Sequence, residues 1–64
     1  MEIKEYNRSV DLYSDRLYRY IIAQIRDHEV AQDVVQESFI KLWENVEKIE
    51  LDKAKAWLLS LIHI

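Results

Sequence analysis

A chain of 64 residues holds at most one small domain, with little core to stabilise it. It contains no cysteine, which excludes disulfides and cysteine-based zinc sites, and no glycine or proline, which disfavours tight hairpins and glycine-rich phosphate loops. Nine basic residues against twelve acidic ones leave a formal charge of −3 without the basic block of a phosphate-binding surface, so an acidic surface facing a basic protein partner fits better.

The chain begins with polar residues of mixed charge, Met1-Glu2-Ile3-Lys4-Glu5, unlike a secretory signal. The longest apolar stretches, 20–23 and 56–59, are far too short to span a bilayer, so no membrane role and a cytoplasmic location are expected. The first predicted helix runs over residues 4–26. Tyr6, Val10, Tyr13, Leu17, Tyr20, Ile21 and Gln24 recur at steps of three and four, and Ile25 widens the apolar face. By this spacing Tyr6, Tyr13 and Tyr20 belong to the core and Tyr18 to the surface. Asp15 and Arg19 are spaced for a favourable pair one helical turn apart.

Asp27 is placed to cap a second helix over residues 28–46, with Glu29 in its first turn near the positive end of the helix dipole. At about 100° per residue, Ala31, Val34, Val35, Ser38, Leu42 and Val46 share one side of this helix, which packs on the first. Phe39 lies on the shoulder of that face. Ile40 and Trp43 fall on the opposite side, which ought to be solvated, in a row with Asp33, Gln36 and Glu47. The steps between them are three, four, three and four, the narrow seam one helix presents to another. An indole beside an isoleucine, bordered by carboxylates and an amide, suits a desolvated anchor with a polar rim. Residues 47–51 form a polar connection, and Asp52 is the candidate cap of a third helix starting near Lys53. The fold expected is all-α: an antiparallel helical hairpin with a partial third helix packed across it.

Residues 31–43, Ala-Gln-Asp-Val-Val-Gln-Glu-Ser-Phe-Ile-Lys-Leu-Trp, resemble the region 2 signature of extracytoplasmic-function (ECF) sigma factors of the sigma-70 family. That signature reads Ala, acidic, Asp, two aliphatics, Gln, Glu, a variable residue, Phe, aliphatic, basic, Leu, Trp; only Gln32 departs from it. Leu12-Tyr13 and Arg16-Leu17-Tyr18-Arg19-Tyr20 are similar to the family's first helix, and Lys55-Ala56-Trp57-Leu58 to the start of its third. The resemblance implies a helix that docks on the coiled coil of the RNA polymerase β′ clamp. Carried over by position, the contacts are Asp33, Gln36, Glu37, Phe39 and Trp43, to which the seam adds Ile40. It also implies core polymerase as the partner, promoter DNA as a partner of the intact protein only, and an anti-sigma factor as a further one. A small helical module that self-associates weakly through Ile40 and Trp43 is the alternative.

After Leu58 the family normally continues with Ile-Ala and then an Asn, which here is Ile64. Residues 59–64, Leu-Ser-Leu-Ile-His-Ile, instead resemble one reading frame of a transposase adapter used in sequencing libraries, at all six positions. The expected division is therefore a polymerase-binding part over 1–58 and a non-native tail over 59–64. The family's −10 recognition and promoter melting lie mainly beyond this point, as does its −35-reading domain. No enzyme, cofactor or metal is expected: His28 and His63 are far apart in the chain, and Ser9, Ser38 and Ser60 have no histidine and acid placed to activate them.

Overall fold

The computed structural model describes residues 1–62, which form three α-helices, α1 (Ile3–Ile25), α2 (His28–Glu44) and α3 (Leu51–Leu61), with no strand among the described residues. Helices α1 and α2 are antiparallel neighbours: Tyr6 near the start of α1 bonds Phe39 late in α2, and Tyr18 bonds His28 at the start of α2. Helix α3 packs against both. The all-α hairpin with a third helix is the observed architecture.

Local chemistry explains the boundaries. Helix α1 opens with a capping box in which the Glu2 side chain accepts from the Glu5 backbone N–H while the Glu2 N–H donates to Glu5 Oε1 at 3.0 Å. It closes at Arg26, whose left-handed backbone (φ 62°, ψ 25°) turns the chain and whose N–H still reaches the Ile22 carbonyl at 3.0 Å. Asp27 caps α2 as its position suggests: Oδ1 accepts from the N–H groups of Glu29 and Val30 at 3.0 and 3.2 Å. Helix α2 stops two residues before the expected 46. The Asn45 side chain and backbone N–H both donate to the Lys41 carbonyl, at 2.9 and 3.2 Å, and residues 45–48 form a turn. Helix α3 starts earlier than expected. Glu50 occupies the N-cap position without a side-chain cap bond, and Asp52 sits inside the first turn, where it favours the helix through the dipole alone.

The core is a single cluster of Leu17, Ile21, Ala31, Phe39, Leu42, Ile49, Ala54, Leu58 and Ile62. Burial of each large side chain is worth about 1.5–3 kcal/mol. Ser9 and Ser38 are buried too, and each satisfies its hydroxyl by donating to a carbonyl of its own helix: Tyr6 at 2.7 Å and Val34 at 2.8 Å. The apolar arc of α1 is rotated from the sequence reading. Tyr20, expected in the core, is 45% exposed, and Gln24 is exposed as well. Tyr18, expected outside, is half-buried, because the short turn at Arg26 and Asp27 folds His28 back onto it, where the rings stack 6.0 Å apart and the Tyr18 hydroxyl bonds His28 Nδ1. Ile49 is buried although its neighbours in the connection are polar. In the 59–64 tail, residues 59–61 continue α3 and Ile62 packs in the core, while His63 and Ile64 lie outside the described residues.

Candidate functional site

On the outer side of α2, large apolar residues and ionisable ones meet in a regular pattern. Ile40 is 58% exposed and Trp43 is 45% exposed, while Asp33, Gln36 and Glu37 are all exposed around them. Opposite lie Ala31, Ser38 and Leu42, all buried. The helix therefore has two unlike flanks, as a period near 3.6 requires when both carry large residues. Glu47, the last residue of the expected row, drops out of it: it is exposed but belongs to the turn after α2.

Phe39 differs from its neighbours. It is 6% exposed and part of the core cluster, so in the free chain its ring supports α2 from within. Its carbonyl matters differently, because the Tyr6 hydroxyl donates to it at 2.9 Å. The Tyr6 ring also meets the Trp43 indole edge to face, with centroids 5.0 Å apart and planes inclined at 65°. Burial pushes the Tyr6 hydroxyl above its usual range, so it remains a proton donor at neutral pH. Trp43 is thus half sheltered by Tyr6 and half open. Spacing alone marks Tyr6 as a core residue; a contact between an aromatic on one helix and the far end of another leaves no trace in either helix's periodicity.

Charge is concentrated on the same helix. Glu29, Asp33, Glu37 and Glu44 oppose only Lys41 within α2, a net −3 equal to that of the whole chain. Asp15 and Arg19 on α1 form an exposed ion pair at 3.0 Å. An open groove of about 490 Å³ between α1 and α2, lined by Ser14, Asp15, Tyr18, Gln32, Val35 and Gln36, borders the acidic side. Among the described residues, no group of three or more His, Cys, Asp or Glu could hold a metal ion, and no helix is long and apolar enough to cross a membrane. An exposed apolar pair inside a carboxylate rim has the make-up of a protein-docking face.

Comparison with known proteins agrees with the residues. The ECF RNA polymerase sigma factor SigM of Bacillus subtilis (strain 168) is 26% identical over 50 residues, which cover 78% of this chain and 31% of SigM. The ECF RNA polymerase sigma factor SigW of the same organism is 30% identical over 50 residues, covering 77% of this chain and 27% of SigW. The chain thus spans less than a third of the length of these curated relatives. No solved structure matches it. The family model described as Sigma-70 region 2 matches residues 10–63, which include all of α2 and the whole of the 31–43 motif. On that match, over most of its length, the chain belongs to the sigma-70 region 2 family.

Proposed function

We propose that this chain is the polymerase-binding part of an ECF sigma factor and that the outer face of α2 docks on the coiled coil of the β′ clamp of core RNA polymerase. The observation that carries this reading is the exposure of Ile40 and Trp43 within a rim of Asp33, Gln36 and Glu37. The indole and Ile40 supply apolar area to a partner helix pair. Asp33 and Glu37 pair with Arg or Lys on that partner, where charge-assisted hydrogen bonds fix the register. Gln36 both donates and accepts at the seam. Phe39, buried in the free chain, acts by holding α2 against the core rather than by offering its ring. The polymerase-binding unit is residues 1–58. Promoter reading, an anti-sigma partner and a cytoplasmic setting belong to this reading for a longer protein.

Trp43→Ala tests it. Binding to a purified β′ clamp coiled-coil fragment, followed by titration calorimetry, is expected to weaken by about 2 kcal/mol or more, while far-UV circular dichroism keeps its helical signal. Unchanged affinity would refute the docking face. Sedimentation of the chain alone checks the self-association alternative: a stable dimer indifferent to the coiled coil would favour it.

A further inference from the structure

We propose that Tyr6 is a positioning residue for the docking face, holding the Trp43 indole in the orientation it presents to a partner. The inference rests on the docking reading above but on different observations. Tyr6 grips the end of α2 at two points: its ring packs edge to face on Trp43 at 5.0 Å, and its hydroxyl donates to the Phe39 carbonyl one turn earlier at 2.9 Å. The second contact fixes where the ring sits, so the first can fix the indole. The segment carrying Tyr6 is itself anchored. The Met1 ammonium donates to the carbonyls of Val46 and of Ile49, the latter at 3.1 Å, bracing the turn that follows α2. One turn after Tyr6, the fully buried Ser9 returns its hydroxyl to the Tyr6 carbonyl at 2.7 Å. Met1, Tyr6 and Ser9, which make the tether, all precede position 10, where the family match begins, so the likeness to sigma-70 region 2 does not supply this role.

The physical consequence is preorganisation. A half-exposed indole on a free helix samples several rotamers, and a partner must select one; an indole already held by an aromatic edge avoids that cost. Loss of the Tyr6 ring therefore acts on affinity through Trp43 and not through a contact of its own.

The experiment uses the full chain with Trp57→Phe, so that Trp43 is the only indole. In Tyr6→Leu, the steady-state anisotropy of Trp43 is expected to fall and its acrylamide quenching to rise, with the helical signal retained. Affinity for the β′ clamp coiled-coil fragment is expected to fall about three- to tenfold, the range of a lost aromatic pair. Tyr6→Phe, which keeps the ring, is expected to recover most of that affinity. The added Trp43→Ala change decides the route: Tyr6→Leu is expected to cost nothing further in that background. An unaltered indole signal, or a Tyr6→Leu loss that persists without Trp43, would overturn the positioning role. If Trp43→Ala alone binds as tightly as the parent, the docking reading fails, and the indole signal still reports whether Tyr6 holds Trp43. Should Tyr6→Leu lose its helical signal, the folded Trp57→Phe chain itself decides: nuclear Overhauser contacts between the Tyr6 and Trp43 rings support the tether, and their absence rules it out.

Discussion

Arg26 stands where many helices place a glycine, with φ 62° and ψ 25°, and it makes the turn between α1 and α2 in a chain that has no glycine at all. A residue with a Cβ pays about 1–2 kcal/mol for that left-handed conformation. Glycine removes the strain but adds freedom to the unfolded chain, and it loses a positive charge that suits the negative end of α1. The net expectation for Arg26→Gly is a modest gain of about 0.5 kcal/mol in urea unfolding; a clear loss would mean that the arginine side chain does more at this turn than its backbone suggests. Residue-scale legibility was uneven for related reasons. The exposed positions of Ile40 and Trp43 agree with the period of α2, which sets them across the helix from the buried Ala31, Ser38 and Leu42. The reversal of Tyr18 and Tyr20 does not follow, because it depends on how tightly the Arg26–Asp27 turn brings His28 back over α1. Tyr6 could be read as apolar and inward, yet its bond to the Phe39 carbonyl spans 33 positions and has no local signal.

Helix starts were legible to the extent that a side chain makes them. Asp27 caps α2 with bonds to two backbone N–H groups, Glu29 and Val30, and its position before an amphipathic run identifies it. Asp27→Ala leaves both donors to water and is expected to cost about 1 kcal/mol of unfolding free energy, with faster amide exchange confined to the first turn of α2. Equal exchange in that turn would mean that α1 packing, not the carboxylate, holds the helix end. Helix α3 starts two residues before the position Asp52 suggests, because two acids, Glu50 and Asp52, flank that start and Glu50 makes no side-chain cap bond. The burial of Ile49 was missed for a different reason. One isoleucine among Glu47, Lys48 and Glu50 has no period to betray it; it joins the core cluster at a turn whose Val46 and Ile49 carbonyls accept from the Met1 ammonium.

The molecule as a whole is a polarised object. Helix α2 carries the net −3, and the rest of the chain balances to zero, so a basic partner meets a directed field and not a uniform one. Family membership was legible from one thirteen-residue run because that run encodes two surfaces at once, a core flank and an outward flank, and few helices are constrained on both. The partner proposed for the outer flank comes only through that likeness, since the residues themselves do not spell out what meets it. The charge distribution makes a kinetic expectation that buried area does not. Raising the salt from about 0.1 M to about 0.5 M shortens the screening length well below about 10 Å, so association with the β′ clamp coiled coil is expected to slow several-fold while dissociation changes little. Asp33→Asn with Glu37→Gln should slow association at low salt and flatten its salt dependence, whereas Trp43→Ala should act mainly by hastening dissociation. Stopped-flow mixing separates the two rates. Association indifferent to salt, with both kinds of substitution changing only dissociation, would mean that the carboxylates serve the bound state alone and that the field of α2 does not steer its partner.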